Sequence, residues 1–488
     1  MEKWEDKWFS PYDANWSVKS DYGPLHMYAF FITTGVIVAI ALAAFRLWRR
    51  RLPAQEMLIA AVFIVPCGLF GGSFFGKLNA SGDDWLNGEG FFKLFAFWEP
   101  GMSIHGAILF GTISAFLILY FLRKKRKISL FTYGDCIAPG ILISQSVGRW
   151  GNFFNHELFG RPLGIYGGVN LPKWLQDNLT YTYNGPSGNV LNGVTLENGQ
   201  HYVMQPLFLY ESVGFLIVYL CIVLIIPGIG KWIGKKPWKV EPNQFQLSWK
   251  ESWKAPFTFN KDSIDNTYFE IWRNAFYTKV EKSRVNWYEQ EKSKITTKNI
   301  VAKKWKEGLL LDKANNPHGY KCARAGVQLG AYFLGWNIIR FYVETNRSEE
   351  GLFVMHKPEL SLALVAITGI VGVIIMIYAQ FIGPYLFRTP GYIYEKPYFF
   401  TREVLEKDNK IADRKIKNSV VKMSEQLAIE AERKQQAKVQ TQMKNQDSKK
   451  REVNKSTYVK HPSRRMQIQS KRAKHQNIKT QGLNRKKK

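Results

Sequence analysis

The sequence predicts an all-α polytopic membrane protein with seven transmembrane helices, and three observations lead to this class. Seven apolar segments approach the roughly 20 residues that one crossing of a bilayer requires. Clusters of lysine and arginine follow alternate segments, whereas the loops between them carry mixed or acidic charge. The whole chain has a formal net charge of +29, because a very basic remainder accompanies the apolar body.

The predicted spans differ in strength. They cover about residues 27–47, 57–75, 104–122, 131–149, 206–229, 325–343 and 360–386. The second span is broken by Gly68, Gly71 and Gly72, and the fourth is the weakest and contains Pro139. Short or broken helices at membrane depth are tolerated where they line a cavity or are buried in protein. The weak fourth span therefore fits a site at its end.

Loop charge predicts the orientation. Basic clusters follow the first, third and fifth spans at residues 46–51, 124–127 and 231–236, and the seventh span leads into a basic tail. The loops at the other ends carry acidic residues such as Asp83 and Glu350. Because cytoplasmic loops carry an excess of Lys and Arg, the N-terminus is predicted outside and the C-terminus in the cytoplasm.

Two segments are predicted outside the membrane, on the side of the N-terminus. Residues 1–25 contain six aromatic side chains and are interpreted as an interfacial arm along the bilayer surface, or alternatively as a frayed terminus. Residues 155–204 are predicted to form a small extracytoplasmic head. Within it, Asn192-Gly193 and Asn198-Gly199 are tight-turn signals that favour strands.

Two basic segments are predicted in the cytoplasm. Residues 231–324 form an insertion with seven tryptophans and many lysines, and they divide the membrane body into residues 26–230 and 325–390. Residues 391–488 are predicted to be a largely disordered tail. Both segments are expected to contact the anionic membrane surface, at about 1 kcal/mol per lysine near the headgroups. Neither carries a nucleic-acid-binding motif, so no nucleic-acid partner is expected.

The string GRWGNFFNHELFG, residues 148–160, follows the weak fourth span and opens the head. It brings Arg149, Asn152, Asn155 and Glu157 to one face of the membrane. An arginine at this depth costs about 3 kcal/mol or more, so it is expected to face a wet or partnered interior. Its guanidinium suits a phosphate or a carboxylate. The string is interpreted as a phosphate-handling site, and the alternative is an internal Arg149–Glu157 ion pair that only joins helices.

Further polar side chains are predicted at the same face of the membrane: His26, Tyr28, His105, Gln205, Tyr210, Glu211, Arg340 and Glu344. The alternative interpretation of each histidine is that it only anchors the chain at the membrane interface. The alternative for Arg340 and Glu344 is that they only form an i,i+4 ion pair within one helix. Two arginines can hold a phosphate diester, and an imidazole can accept a proton near neutral pH. The sequence has no metal-ligand spacing, nucleotide-binding loop or catalytic-serine motif, so neither a metal nor a cofactor is expected.

At these residues the chain resembles the prolipoprotein diacylglyceryl transferase family. GRWGNFFNHELFG carries the resemblance, together with LHMYAF, SIHGAI, GDCIAP, QPLFLYE and RFYVE in the family's order, over about residues 20–228 and 325–390. The resemblance implies a bacterial cytoplasmic membrane protein with its active site toward the outer leaflet. It implies transfer of the diacylglyceryl group of phosphatidylglycerol to the lipobox cysteine of a prolipoprotein, with formation of a thioether and release of glycerol phosphate.

By motif position, the resemblance also implies individual roles. The implied catalytic residues are His105 as the base, Tyr28 as its rival for that role, and Arg149 and Arg340 at the phosphate and its leaving group. The implied substrate-binding set adds Asn152, Glu157, Gly160, Glu344, Asp135 and Glu211 to the two arginines. A base is needed because a free thiol of pKa about 8.5 is only a few per cent thiolate at pH 7.

The chain departs from the family's pattern at three positions. Ala107 stands where a second glycine is common, Gln205 where a histidine is common, and Trp336, one turn before Arg340, where a tyrosine is expected. The residues alone leave two other functions open. One is a non-catalytic phospholipid transporter or flippase that uses the same headgroup site, and the other is a membrane scaffold that binds partners through the insertion and the tail.

Overall fold

The computed structural model describes residues 4–50, 52–80, 94, 104–255, 266–276, 282–354, 356–396 and 398. The helices in chain order are α1 (Met27–Arg49), α2 (Gln55–Ala80), α3 (Ile104–Arg126), α4 (Leu130–Phe154), α5 (Lys173–Asn178), α6 (Leu207–Leu220), α7 (Ile226–Ile233), α8 (Pro237–Val240), α9 (Trp249–Lys254), α10 (Tyr268–Phe276), α11 (Lys282–Ser293), α12 (Ile300–Asn315), α13 (Val327–Asn346), α14 (Pro358–Ile377) and α15 (Gly383–Leu386). Two π-helical turns, Cys221–Ile225 and Tyr378–Ile382, join α6 to α7 and α14 to α15.

A helix lies at each of the seven predicted spans. Four helical segments of the described residues are long and apolar enough to cross a membrane, namely Met27–Arg49, Met57–Leu78, Leu207–Val240 and Pro358–Leu386. Helices α3, α4 and α13 occupy the other three positions. The number of seven crossings and their orientation stay a prediction.

The glycines of the second span pack helices together, and α2 is continuous through them. This corrects the expectation that Gly68, Gly71 and Gly72 break the span. A Cβ on Gly71 would lie 2.6 Å from the carbonyl oxygen of Gly106 in α3, so the two backbones are in direct contact. Small residues let helices approach closely in membranes, where van der Waals contact drives their association. The same device joins α1 to α4, since a Cβ on Gly35 would lie 2.7 Å from the carbonyl oxygen of Ser144.

The head is a small antiparallel β structure, so the molecule is mostly helical rather than all-α. Its strands are β1 (Phe9–Pro11), β2 (Asp21–Tyr22), β3 (Leu25–His26), β4 (Pro162–Ile165), β5 (Thr180–Tyr183), β6 (Asn189–Leu191), β7 (Val194–Leu196) and β8 (His201–Met204). The main sheet has the order β1-β5-β8-β4, and β6 pairs with β7. Asn192 and Gly193 have φ values of 55° and 76°, as a tight hairpin turn between β6 and β7 requires.

The N-terminal arm is part of the head, so it is not a frayed terminus, and its position along a bilayer surface stays a prediction. Strand β1 pairs with β5, with Phe9 opposite Tyr183. Trp4 and Phe9 are buried in the core of the head among Tyr181, Tyr183 and other apolar side chains. Trp8 and Tyr22 are exposed, at 38% and 48%. Burial of the Trp4 and Phe9 rings removes a large apolar area from water and so stabilises the arm against the head.

The described part of the insertion has a core of its own. Phe245, Ile271, Trp272, Ala275 and Tyr320 are buried together. Helix α12 packs against α15, and a Cβ on Gly308 would lie 2.0 Å from the carbonyl oxygen of Tyr385. The insertion therefore lies directly on the end of the last span.

The folded part of the chain continues beyond residue 390, where the basic tail was predicted to begin. Ile128 and Ile393 form a parallel β-bridge, and Tyr398 is buried. Glu395 accepts hydrogen bonds from Arg324 at 3.0 Å and from Arg388 at 2.6 and 2.7 Å. This charge network fixes residues 391–396 and 398, which come from a sequence too polar to predict a core. Residues 399–488, the rest of the predicted tail, lie outside the described residues.

This network predicts a loss of stability in acid. Burial alone would raise the pKa of Glu395, but Arg388 and Arg324 outweigh it and lower that pKa to about 2. A carboxylate with a lowered pKa stabilises the fold fully when the pH is above its ordinary pKa of 4.5. This contribution is lost as the pH falls through the lowered pKa of about 2. We expect Glu395→Gln to cost about 3 kcal/mol at pH 7, measured by unfolding in detergent.

The matched control is Glu291→Gln, which removes an exposed i,i+3 pair with Lys294. That change should cost less than about 0.5 kcal/mol. The difference between Glu395→Gln and wild type should shrink steadily between pH 4.5 and pH 2. A constant difference over that range would contradict the account of the network.

Candidate functional site

Arg149 and Arg340 come from different helices and meet at one carboxylate. Arg149, in the last turns of α4, places Nε 2.6 Å from Oε2 of Glu211 and Nη2 3.3 Å from Oε1. Arg340, in α13, places Nη1 3.4 Å from Oε1 of the same Glu211. Glu211 is fully buried near the start of α6, where α4, α6 and α13 pack together. The predicted convergence of the two guanidiniums is therefore present in the structure.

Glu344 holds Arg340 from the other side. Its Oε2 lies 2.9 Å from Nη2 of Arg340, which is the i,i+4 pair that was the alternative interpretation. Its Oε1 accepts hydrogen bonds from the Phe353 backbone and the Ser361 hydroxyl. The i,i+4 pair is thus present, and the same guanidinium also contacts a carboxylate of α6. The role of Arg340 at a phosphate stays a prediction. Glu344 also ties α13 to the loop that precedes α14.

Asn152 connects Arg149 to Glu157. Nη1 of Arg149 lies 3.4 Å from Oδ1 of Asn152, whose Nδ2 lies 3.3 Å from Oε2 of Glu157. Asn155 donates to the other oxygen of Glu157 at 3.4 Å. The ion pair of Arg149 is with Glu211, so the alternative Arg149–Glu157 pair is not the arrangement found. Glu157 is exposed and reaches Arg149 only through the amide.

His156 supports the turn that follows α4, and the sequence analysis did not select it. His156 and Leu158 have φ values of 54° and 64°, a backbone conformation that residues other than glycine rarely adopt. The imidazole stacks on Trp16 at a centroid distance of 3.4 Å. Its nitrogens lie 3.2 and 3.0 Å from the carbonyl oxygens of Asn178 and Val18. The N-terminal arm therefore helps to hold the strained turn, a contact that no local signal could indicate.

Tyr28 and Gly160 lie beside the charged cluster. A Cβ on Gly151 would lie 3.2 Å from Cα of Tyr28, so the first turn of α1 contacts α4 two residues after Arg149. Gly160 donates its N–H to the carbonyl oxygen of Gln205 at 2.9 Å, and a Cβ there would lie 2.7 Å from Oε1 of Gln205 and 3.0 Å from Cγ of Leu207. Gly160 thus sets the start of α6, four residues before Glu211.

The close contact of Gly160 with the start of α6 gives a prediction about the spacing between these two segments. Gly160→Ala should displace Leu207 and Gln205, and with them Glu211, and should lower the activity proposed below about tenfold. The matched control is Gly148→Ala in the same string, since a Cβ on Gly148 has no atom within 4 Å. The two variants are compared by the initial rate of lipid transfer to a peptide. Equal rates in both would contradict a spacing role for Gly160.

Asp135 lies away from the cluster and caps another helix. Its two carboxylate oxygens accept hydrogen bonds at 2.9 Å from the backbone N–H groups of Gly326 and Leu329, at the beginning of α13. Asp135 and Arg149 are 14 residues apart in α4, which is about 21 Å along a helix. The contacts support a role in fixing α13, and hence Arg340, relative to α4. The place of Asp135 in the substrate-binding set stays a prediction.

Two positions remain to be described: His105, which was predicted as the base, and Arg347, which was not predicted. His105 lies in the first turn of α3, and its side chain is outside the described residues, so its role as a base stays a prediction. Arg347, just beyond α13, was not in the predicted set. It lies within electrostatic range of Arg149, Arg340, Glu211 and Glu344 and donates to the carbonyl oxygen of Gly351 at 2.6 Å.

The guanidiniums of the cluster outnumber its buried carboxylates. Burial, and after it the charge of Arg340, lowers the pKa of Arg347 to about 9, which still leaves this guanidinium protonated at neutral pH. Three guanidiniums therefore stand against the two buried carboxylates of Glu211 and Glu344. The third carboxylate, Glu157, is exposed and reaches Arg149 only through Asn152, so the guanidiniums can still bind an anionic group. In the ranges that the structure describes, no group of three or more His, Cys, Asp or Glu side chains is placed to hold a metal ion.

Fold and site together define a polytopic membrane protein with a buried arginine–carboxylate cluster between three helices. Residues 18–236 match the family model described as prolipoprotein diacylglyceryl transferase. The resemblance stated from the motifs is confirmed, because this region of the chain is similar to that family. Arg149 and Glu211 lie inside the matched region, whereas Arg340 and Glu344 lie outside it.

Curated relatives agree with the family match. The chain is 32% identical over 210 residues to a phosphatidylglycerol–prolipoprotein diacylglyceryl transferase of Oceanobacillus iheyensis, covering 43% of this chain and 66% of the relative. It is 38% identical over 148 residues to that of Streptomyces griseus, covering 29% and 42%. It is 31% identical over 209 residues to that of Mycobacterium leprae, covering 41% and 58%. The chain thus spans between 42% and 66% of the length of these relatives.

Proposed function

We propose that the protein transfers the diacylglyceryl group of phosphatidylglycerol to the lipobox cysteine of prolipoproteins. One observation carries the proposal. Arg149, in the part of the chain that matches the family, and Arg340, more than 100 residues beyond that part, contact the same carboxylate of Glu211. Two helices that are far apart in the sequence thus build one cationic site. Such a site suits the phosphate diester of a phospholipid.

The arginines hold the phosphate in this proposal. Glu211 and Glu344 fix the two guanidiniums before lipid arrives, and Arg149 has the more exposed side chain of the two, at 20% against 9%. The thiolate sulfur attacks the glyceryl carbon that bears the phosphate oxygen, and the carbon–oxygen bond breaks. Negative charge then grows on the leaving glycerol phosphate. Positioned guanidiniums stabilise that charge more than they stabilise the diester, which is what lowers the barrier.

The thiol proton has two proposed acceptors. His105 is the proposed base, and Tyr28 is its rival because its backbone lies against Gly151, close to Arg149. We expect His105→Gln to lower transfer about 100-fold, within the usual range for loss of a positioned base, and Tyr28→Phe to lower it less than tenfold. Initial rates with a lipobox peptide distinguish the two. The reverse order would exchange the roles.

The proposed setting is a bacterial cytoplasmic membrane. Seven crossings would place the head, the cluster and the N-terminus at the outer leaflet, and the insertion with the tail at the cytoplasmic surface. The lysine content of residues 231–324 supports contact with anionic headgroups there. The signal peptide of a prolipoprotein would enter from the bilayer with its cysteine at the level of Arg149. No metal or cofactor takes part in these steps.

The experiment is peptide lipidation by the purified full-length protein. The protein in detergent receives phosphatidylglycerol and a synthetic lipobox peptide, and mass spectrometry detects the added diacylglyceryl group. A peptide with serine in place of the cysteine is the matched control, and the Oceanobacillus iheyensis relative is the positive control. We expect the adduct on the cysteine peptide alone. No adduct, while the relative modifies the peptide in the same mixture, would refute the proposal.

A further inference from the structure

A cavity lies at the end of the membrane body opposite the arginine–carboxylate cluster. It has a volume of about 550 Å³ and is formed where the end of α3, the beginnings of α4 and α13, and the π-helical turn before α15 come together. Its walls are mostly apolar, with Leu119, Phe131 and Tyr378 among the lining residues. Gly134, also in the wall, precedes Arg149 by 15 residues, which is about 22 Å along α4. The cavity is therefore separate from the arginine–carboxylate cluster.

The flanks of the cavity face lipid. Phe116 and Phe387 are in its wall and are 57% and 61% exposed. Phe121, which lies between Leu119 and Arg123 in α3, is 68% exposed. In a membrane protein, large apolar side chains with this exposure contact acyl chains. An acyl chain can therefore reach the cavity from the bilayer without crossing a polar surface.

The last span is distorted where it borders the cavity. Its α-helix gives way to the π-helical turn Tyr378–Ile382, and Tyr378 and Ala379 of this turn line the cavity. Single π-helical turns occur frequently at functional sites, because they widen the helix locally. On the opposite side, the bridge between Ile128 and Ile393 fixes the segment that contributes Tyr392 to the wall. The cavity is thus built from two separately held segments.

One of the two arginines at the cavity is available to an anion. Arg388 is neutralised by two hydrogen bonds to Glu395, at 2.6 and 2.7 Å. Arg123 lies 5.8 Å above the ring of Tyr392, and no carboxylate of the described residues forms an ion pair with it. Lys124 and Lys125 follow it and are exposed. The cavity therefore combines an apolar interior with positive charge at one side.

We propose that this cavity binds an anionic phospholipid, with one acyl chain in the apolar interior and the phosphate at Arg123. The volume is within the about 300–1,000 Å³ of small-molecule sites, and the apolar walls suit a hydrocarbon chain. A lipid without net charge would leave Arg123 and the adjacent lysines unmatched. Soluble phosphate would leave the apolar walls unfilled. The proposal concerns lipid binding only and is independent of the transfer reaction.

The test is photolabelling of the full-length protein in nanodiscs. A phosphatidylglycerol probe with a photoreactive group in one acyl chain is compared with a phosphatidylcholine probe, and labelled peptides are identified by mass spectrometry. We expect the anionic probe to label peptides from residues 116–123 and 378–394 at least five times more than the neutral probe does. Equal labelling by both probes would refute recognition of an anionic headgroup, because phosphatidylcholine also carries a phosphate but has no net charge. Labels confined to the region of Arg149 and Arg340 would refute the site.

Matched variants locate the headgroup. Arg123→Gln should lower labelling of those peptides at least fivefold, whereas Lys125→Gln, the same loss of charge on an exposed side chain outside the cavity, should change it less than twofold. Leu119→Trp, which fills the interior and keeps the charge, should also lower labelling at least fivefold. Equal labelling in Arg123→Gln and Lys125→Gln would refute the proposed role of Arg123. Suppression by glycerol phosphate would show a phosphate site without a chain and would refute the acyl-chain half of the proposal.

Discussion

Replacement of Arg340 by glutamine is expected to lower kcat/KM for diacylglyceryl transfer about 1,000-fold. Loss of one preorganised donor to a growing negative charge typically costs 10²–10³-fold, or about 3–4 kcal/mol of the barrier. Arg340 adds to this because its guanidinium also neutralises Glu211 and Glu344, which are both fully buried. Without it, these carboxylates would compete with the phosphate for Arg149. The loss should appear in kcat and in a higher KM for phosphatidylglycerol.

Two further variants define what Arg340 contributes. Arg340→Lys keeps the charge and loses the planar fork, and it should lower kcat/KM about 100-fold. Lys357→Gln removes an exposed cation at the end of the loop between α13 and α14, and it should leave the rate within twofold. All are measured as initial rates of peptide lipidation. A rate for Arg340→Gln within tenfold of wild type would contradict a role of this guanidinium at the phosphate.

Replacement of Glu211 by glutamine is the second large effect, at about 300-fold in kcat. Glutamine keeps the volume and removes the charge that holds Arg149 and Arg340 together, so both guanidiniums become free to separate. Breaking a buried ion pair by removing one partner costs about 3–5 kcal/mol of stability, and a similar loss is expected here. KM for phosphatidylglycerol should not rise, because the lipid no longer competes with a carboxylate. A lower kcat with an unchanged KM distinguishes a positioning residue from one that binds lipid.

The neighbouring serine provides the control for Glu211. Ser212 joins α6 to α4 through hydrogen bonds of 2.8 and 3.0 Å with Ser146, without a charge. Ser212→Ala should cost about 1 kcal/mol of stability and leave kcat within threefold. If Ser212→Ala lowered kcat as much as Glu211→Gln, helix packing rather than charge would explain both results. Unfolding in detergent and initial rates are therefore measured on the same samples.

The meeting of Arg149 and Arg340 could be predicted from the sequence, but their shared partner could not. Charged residues in apolar segments are costly alone, so their presence near the same ends of alternate spans indicates a common site. Which carboxylate each arginine contacts depends on helix rotation and packing. Arg149 lies 62 residues from Glu211, and Arg340 lies 129 residues from it. Glu157, only eight positions from Arg149 in the sequence, was the nearer candidate and contacts Asn152 instead.

The N-terminal arm and the glycines of α2 show a second limit of prediction from the sequence. Aromatic residues in a polar segment are as typical of a membrane interface as of a small core, and only the pairing of β1 with β5 shows that part of the arm belongs to a core. Glycine likewise breaks a helix or lets a neighbour approach, and the contact of Gly71 with Gly106 decides that case. Residues 391–396 and 398 are fixed by ion pairs between distant segments, which charge composition alone does not reveal. By contrast, the turn signal Asn192-Gly193 is local and correctly predicts a hairpin.

The central claim is that Arg149 and Arg340 bind the same lipid phosphate. The most direct measurement is a structure of the full-length protein with a non-transferable phosphatidylglycerol analogue, in which a carbon replaces the bridging oxygen of the bond that breaks. We expect oxygens of the single phosphonate within about 3 Å of nitrogens from both guanidiniums, as charge-assisted hydrogen bonds require. A headgroup that contacts one arginine only, while the other stays paired with carboxylates, would contradict the claim.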